Sequence, residues 1–434
     1  MNICVIGTGY VGLVTGVCFA EFGLSVGCVD KDEEKIENLK KGKVPIYEPG
    51  LEELVVKNLK EGRLTFSTDL TDGVRKALVV FIAVGTPSKD DGSADLSYVE
   101  EVARTIGANM NGYKVIVTKS TVPTGTGKLI EKMIKENQDE AYPFDVVSNP
   151  EFLREGSAIE DFMRPNRVVI GSNNSPQAVA ILKDLYSPLY LIEAPFVITN
   201  VETAEMVKYA SNAFLATKVS FINEMANLCE KVGADVHVVA KGMGLDHRIG
   251  SKFLHPGPGF GGSCFPKDTT ALARLTREKG LRFEIVEATI AVNDRQRILM
   301  IEKIKDATGG VKDKKIAIWG LTFKPNTDDL RDAPSLDIIK GLLEDGAKVR
   351  VFDPAGLDGA RKIFDNKVEY ADDMYKAVEG CDALVVITEW NQFRSPDFER
   401  LKGLLKTPVV IDLRNVYEPE KMRGLGFKYT CVGR

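Results

Sequence analysis

The chain has 434 residues, 44% of them hydrophobic, which is too long for one ordinary core and enough apolar surface for two or three. Lys plus Arg number 57 against 62 for Asp plus Glu, and the net charge of −5 leaves no basic footprint for nucleic acid or an acidic membrane. Seven cysteines, an odd number with no C-x-x-C pair, argue against a disulfide framework and a structural zinc site, so no metal is expected.

The first strand-like run, Ile3-Cys4-Val5-Ile6, begins almost at Met1, and no apolar segment is long enough to span a bilayer. The expectation is a multidomain cytoplasmic enzyme. Behind that strand, Gly7-Thr8-Gly9-Tyr10-Val11-Gly12 runs into an apolar stretch from Leu13 to Phe22. This is the strand, glycine turn and helix of a dinucleotide site: Gly7 for the turn, Gly9 for approach of the pyrophosphate, Gly12 for close helix and strand packing. Asp30 ends the next strand, Ser25 to Val29, where a carboxylate accepts from both ribose hydroxyls and repels a 2′-phosphate. NAD is therefore favoured over NADP. A flavin, or a glycine turn without a ligand, is the plainer alternative.

Further β-branched runs at Leu78 to Val84, Lys114 to Thr118, Asp145 to Ser148 and Arg167 to Gly171 alternate with amphipathic stretches. The rhythm predicts a parallel sheet covered on both faces by helices. Val84-Gly85-Thr86-Pro87 and Ser120-Thr121-Val122-Pro123 follow two of these strands and belong at the sheet's carboxyl edge, where such folds bind ligands. From about Val201 to Leu245 the pattern is helical, placing Lys208 and Asn212 on one helix face. Such a pair can steady a developing alkoxide, although a solvated face is the commoner reading.

A glycine-dense loop, Gly257 to Ser263, then sets Cys264 two residues before Pro266, a residue suited to a first helical turn. Amide groups at a helix start and Lys267 favour the thiolate there. A second helical stretch, Thr270 to Arg297, leads to a linker at Gly309 to Asp313. Strand and helix alternation restarts at Lys315 to Gly320, with further strands at Lys348 to Phe352, Ala383 to Ile387 and Val409 to Leu413, but without a second glycine fingerprint. The expected fold is α/β, two Rossmann-like doubly wound sheets joined by a long central helix. The expected domains are 1–198 for the dinucleotide, 199–300 for the central helices and cysteine loop, and 311–434 for a further α/β domain. Only three histidines occur, none in a triad-like context, so carboxylates and water must move protons.

Gly7 to Gly12, Tyr47 to Leu51, Val84 to Pro87, Ser120 to Pro123, Asn149 to Gly156, Lys208 to Asn212, Gly259 to Asp268 and Gly320 to Arg331 together resemble the nucleotide-sugar 6-dehydrogenases of the UDP-glucose/GDP-mannose dehydrogenase family. The phrase Gly259 to Asp268 is the most specific of them. Cys264 separates this family from the β-hydroxyacid dehydrogenases, which resemble the chain only in its first half. The resemblance implies oxidation of a sugar's primary alcohol to a carboxylate by two NAD in succession, with UDP-glucose the expected substrate, GDP-mannose the enzymatic alternative and a silent NAD-binding regulator the non-enzymatic one. It implies catalytic roles for Cys264, Lys208, Asn212, Asp268, Glu151 and Thr121. For the cofactor it implies Tyr10, Val11, Lys31, Lys35, Gly85, Thr86, Thr121, Glu155, Lys267 and Arg331 beside the glycines and Asp30. For the substrate it implies Phe152, Leu153, Arg154, Glu155, Lys208, Asn212, Arg248, Phe253, Leu254, Gly259, Phe260, Gly261, Phe323, Lys324 and Arg414. It also implies a homodimer, formed where the central helix exposes an apolar face.

Overall fold

A computed structural model describes all residues, 1–434. It divides into two compact units, Met1–Ser211 and Asn212–Arg434. In the first, eight strands are ordered β3-β2-β1-β4-β5-β6-β7-β8: β1 (Asn2–Ile6), β2 (Ser25–Val29), β3 (Leu64–Ser67), β4 (Val79–Ile82), β5 (Lys114–Thr118), β6 (Phe144–Ser148), β7 (Val168–Ser172) and β8 (Phe196–Thr199). The order reverses between β1 and β4, which pair in parallel from Ile3↔Val79 to Ile6↔Ile82. That reversal leaves a crevice at the strands' carboxyl ends. Central strands β4 and β5 are buried throughout, as both covered faces of a parallel sheet require.

One junction departs from the expected parallel pattern. β6 and β7 are antiparallel, Val147↔Ser172 and Ser148↔Gly171. The segment between them holds a single short helix, Ala158–Met163, instead of a long crossover helix, so the chain stays at the carboxyl edge and re-enters the sheet from there. The same detour keeps Asn149 to Gly156 at that edge.

The second unit carries six strands in the order β11-β10-β9-β12-β13-β14, all parallel: β9 (Lys315–Trp319), β10 (Lys348–Phe352), β11 (Glu369–Tyr370), β12 (Ala383–Val386), β13 (Val409–Asp412) and β14 (Lys428–Cys431). The expected helix from Val201 to Leu245 is two helices, Val201–Val232 and Val236–Gly244, interrupted where Gly233 takes φ +73°. The expected helical stretch Thr270 to Arg297 is also two, Phe265–Glu278 and Glu284–Thr308, with Gly280 at φ +72° between them. The second of these ends at Gly309, itself left-handed. No helix is long and apolar enough to cross a membrane.

Candidate functional site

In the first unit the glycine turn behaves as its spacing demands. Gly7 has φ +99°, and a Cβ there would sit 2.6 Å from the Ala83 carbonyl oxygen. A Cβ on Gly12 would run into the Gly7 carbonyl, whereas the same construction at Gly9 meets nothing within 4 Å. Two glycines are thus needed for packing and one leaves open space before the Tyr10–Glu21 helix, the arrangement that admits a pyrophosphate to a helix start. A cavity of about 300 Å³ opens here, with Gly7, Gly9, Asp30, Lys31, Lys35 and Gly85 in its wall. Asp30 accepts from the Thr8 amide and hydroxyl, both at 2.8 Å, and from Lys35 at 3.1 Å. Partial burial works to raise its carboxyl, but these hydrogen bonds and that from Asp32 hold it below the usual value. Lys31 lies 4.4 Å from the Tyr98 ring centroid. These residues fit a bound NAD.

Tyr10 turns away from that cavity and donates to Glu48, a buried carboxylate that also takes the amides of Gly156 (2.6 Å) and Ala158 (2.8 Å). Glu48 thereby ties the glycine-turn helix to the segment carrying Glu155, and Val11 begins the same helix. Thr86 is buried and donates to the Thr121 carbonyl at 2.8 Å, joining the loops after β4 and β5.

Taken without the family resemblance, a carboxylate and an ammonium such as Glu151 and Lys208 are by default surface groups; the structure buries both, with Nζ to Oε1 at 2.9 Å and side chains 4% exposed. The other Glu151 oxygen accepts from the Leu153 amide at 2.5 Å. Phe152 lies beneath two cations, Arg167 at 3.3 Å and Lys208 at 5.4 Å from its ring centroid. Glu155 is half-buried. Arg154 is exposed and forks onto Asp161 at 2.6 and 2.9 Å.

In the second unit, Asn212 donates to Asp268 at 2.6 Å, and Lys267 pairs with the other Asp268 oxygen at 2.7 Å. Asp268 is 1% exposed, so both of its oxygens are held by donors away from water. Cys264 caps the Phe265–Glu278 helix; its carbonyl accepts from the Asp268 amide at 2.8 Å, which places thiol and carboxylate one turn apart. None of the seven cysteines is in a disulfide; six are buried and Cys264 alone is half-exposed. Asn212 lies four positions after Lys208 on the Val201–Val232 helix.

The cysteine loop is held by amide side chains that sequence reading passed over. Asn223 accepts from the Gly257 amide (2.8 Å), Gln296 donates to the Gly257 carbonyl (2.9 Å), and Asn293 both accepts from and donates to Phe260 (2.8 and 3.1 Å). Amides on long helices look like solvated positions, so no local signal marks them. Gly259 (φ +111°) and Gly262 (φ +82°) leave room for Asn293 and the Phe323 ring, while a Cβ at Gly261 would meet the Asp332 carbonyl. Phe253, itself at φ +63°, and Phe260 both pack against Phe265, and Leu254 is buried. Lys324 lies 5.3 Å from the Phe323 centroid. Arg414 is largely buried, paired with Glu389 at 2.6 Å, and would clash with a Cβ at Gly257. Arg331 gives its carbonyl to the Gly262 amide and its exposed guanidinium to Asp329. Arg248, also exposed, forks onto Asp246.

One further carboxylate escaped the sequence reading. Glu205, on the helix of Lys208, accepts from Gly125 (2.7 Å) and Gly127 (2.8 Å) at the start of the Thr126–Glu136 helix that follows Thr121. Burial pushes its carboxyl up to about 7 against the pull of those two amides.

Comparison with known proteins agrees with this geometry. Over 437 residues the chain is 55% identical to a UDP-glucose 6-dehydrogenase of Rhizobium meliloti, covering all of both chains. It is 53% identical to the UDP-glucose 6-dehydrogenase TuaD of Bacillus subtilis, over all of this chain and 93% of the relative. A solved UDP-glucose dehydrogenase from the archaeon Pyrobaculum islandicum superposes with a TM-score of 0.92 at 39% identity, covering 99% of this chain and 96% of that one. Residues 1–190 match the family's NAD binding domain, 202–295 its central domain and 317–419 its UDP binding domain. With a dinucleotide turn, a half-exposed thiol at a helix start and all three family segments in order, the chain belongs to the UDP-glucose/GDP-mannose dehydrogenase family.

Proposed function

We propose that the protein oxidises UDP-glucose to UDP-glucuronate with NAD, through a covalent intermediate on Cys264. The observation that carries this reading is Cys264 itself: half-exposed at the head of a helix, one turn from a buried Asp268 that is held by Asn212 and Lys267. The two relatives' names supply the substrate.

Bound NAD supplies a hydride acceptor, twice. A single two-electron oxidation of the C6 alcohol ends at the aldehyde, so a route to the acid needs a nucleophile to add to the carbonyl, and a thiolate on the protein does so while retaining the aldehyde. In the first oxidation, water held by Asp268 and Thr121 takes the hydroxyl proton, while Lys208 and Asn212 steady the oxygen as charge develops on it. The Cys264 thiolate then adds to the aldehyde carbon to give a thiohemiacetal, which keeps the aldehyde from escaping. Loss of the second hydride from C6, with the hydroxyl proton passing to the bound water, leaves a thioester. A water oriented by Glu151 attacks its carbonyl carbon, the C–S bond breaks, the thiolate is regenerated, the product carboxylate forms and the two protons of the water pass to solvent. Glu151 suits that task because its two oxygens are fixed by Lys208 and the Leu153 amide.

The remaining assignments follow the segments. The division 1–198, 199–300 and 311–434 gives NAD, assembly and UDP to successive parts. Phe253, Leu254, Gly259, Phe260, Gly261, Phe323, Lys324 and Arg414 serve the substrate, joined by Phe152, Leu153, Arg154, Glu155 and Arg248, and Arg331 serves the cofactor. A homodimer is supported by Phe214, Phe221 and Leu228, seven apart on the Val201–Val232 helix and 66%, 46% and 52% exposed, an apolar stripe of the kind a second copy covers.

The test is the amount of NADH formed at 340 nm (the nicotinamide band, a general property of the cofactor, about that wavelength) from limiting UDP-glucose and, separately, GDP-mannose. Two NADH per UDP-glucose and none from GDP-mannose is the expected result, with turnover lost in Cys264→Ala. One NADH per sugar, or parental turnover in Cys264→Ala, would sink the covalent route.

A further inference from the structure

Lys119 immediately follows β5, and Asn149 immediately follows β6. These strands are parallel neighbours with Thr118 opposite Ser148, so Lys119 and Asn149 occupy the next paired level. Two residues beyond each lies a group given a role above: Thr121 after Lys119, Glu151 after Asn149. The Lys119 ammonium donates to Asn149 Oδ1 at 3.0 Å and to the Tyr186 hydroxyl at 3.1 Å, and Tyr186 donates to the same Asn149 oxygen at 2.6 Å. Asn149 donates its side-chain amide to the Val169 carbonyl of β7, at 2.8 Å. This triangle is closed, buried, and tied to three strands.

A lysine in such a place is a poor choice for stability alone, since burying an ammonium costs more than its hydrogen bonds return and an apolar residue of similar length would serve better. Its surroundings supply a reason. Lys119, Asn149 and Tyr186 line a cavity of about 40 Å³ whose wall also includes Glu151, Phe152 and Arg167. A cavity of that size with polar walls accommodates a water. Burial pulls the ammonium down to about 7, with the Glu151 carboxylate opposing the shift and the Lys208 ammonium adding to it.

We propose that Lys119 is a positioning residue for thioester hydrolysis: through Asn149 it fixes the β5 and β6 loops at one level, and from the wall of the same cavity it holds Glu151 in the orientation that aims the attacking water. The proposal rests on the assignment of Glu151 made above. Lys119 touches neither sugar nor cofactor in this scheme.

The experiment compares Lys119→Met, Lys119→Arg and Glu151→Gln in full-length protein with UDP-glucose and NAD, following both the pre-steady-state burst of NADH and steady-state turnover, with mass spectrometry of Cys264. Lys119→Met is expected to melt no lower than the parent, to keep the burst rate and a KM within about threefold, to lose about 10- to 100-fold in kcat, and to accumulate a UDP-glucuronyl adduct on Cys264, with partial rescue by arginine. Steady-state turnover of Lys119→Met within about twofold of the parent overturns the proposal if Glu151→Gln is slowed. A joint loss of burst, affinity and melting temperature that arginine does not rescue also overturns it, because the residue is then structural. Parental turnover in Glu151→Gln removes the assignment beneath the proposal, and the proposal with it.

Discussion

Asn293 offers the sharpest test of how the cysteine loop is held. It is 3% exposed on the Glu284–Thr308 helix, accepts from the Phe260 amide at 2.8 Å and donates to the Phe260 carbonyl at 3.1 Å. In Asn293→Ala the carbonyl keeps a second donor, Arg297 at 2.8 Å, but the buried amide loses its acceptor. An orphaned buried N–H costs about 1–3 kcal/mol and the lost neutral hydrogen bond about 1 more, so the expected loss is roughly 2–4 kcal/mol. For a unit of about 220 residues each kcal/mol lowers the melting midpoint by about 2–4 °C, which places the fall between about 4 and 16 °C. Calorimetry measures it, and NADH production from UDP-glucose measures the consequence at Cys264, expected to fall with it because Phe260 packs against Phe265 beside the thiol. Asn293→Asp separates the two bonds: the carboxylate still accepts from the Phe260 amide but sets an anionic oxygen against the carbonyl, so its deficit shrinks as the pH falls and the acid protonates. A melting shift under about 1 °C with parental turnover in Asn293→Ala would refute the idea that this amide holds the loop.

Gly12→Ala is expected to abolish NAD binding in calorimetric titration, since its methyl meets the Gly7 carbonyl, whereas Gly9→Ala should fold normally and lose affinity only through obstruction of the open space above it. Asp30→Ser should weaken NAD and narrow its advantage over NADP, read as the ratio of kcat/KM for the two cofactors; an unchanged ratio would remove Asp30 from ribose recognition. Glu205 predicts a pH dependence. Its folded carboxyl titrates at about 7 against 4.5 in the unfolded chain, so the protonated form is favoured by the fold. Glu205's contribution to the first unit's stability is therefore fully present below pH 4.5 and declines to about pH 7, by roughly 3.5 kcal/mol at about 1.4 kcal/mol per pKa unit, and urea unfolding of Glu205→Gln should lack this part of the pH dependence.

What was legible in the sequence divides by burial. Strands β1, β4, β5 and β12 are covered on both faces and stand out as apolar runs, whereas β3, β8, β11 and β14 escaped notice. All four lie at the sheet edges; β8 is half-exposed along its length, and β11 is two residues long. Site residues divide the same way. The glycine turn and Cys264 announce themselves because their chemistry is local in sequence. Glu151 and Lys208 do not, because a carboxylate or ammonium looks solvated until its partner, 57 positions away, is brought to 2.9 Å. Asn223, Asn293 and Gln296 are hidden for the same reason, since their partners belong to a loop and not to their own helices.

The two sheets carry this point further. In each, a glycine immediately follows the first strand of the unit's sheet, Gly7 at φ +99° and Gly320 at φ +92°, and an aspartate immediately follows the next strand in the core order, Asp30 and Asp353. By position alone both are ribose-binding acids. Asp30 lines a cavity of about 300 Å³. Asp353 is 1% exposed and accepts from the amides of Leu321, Thr322, Ala355 and Gly356 and from the Trp390 indole. The protein's own donors hold both oxygens of Asp353, so in the second sheet the acid is an internal clamp on the turn after β9. Trp390→Phe would remove one donor from an Asp353 oxygen that keeps the Leu321 and Thr322 amides and the Thr322 hydroxyl, and should loosen that turn without creating affinity for NAD. A second NAD site in Trp390→Phe, seen as a second equivalent in titration, would show instead that the indole alone separates a clamp from a cofactor site.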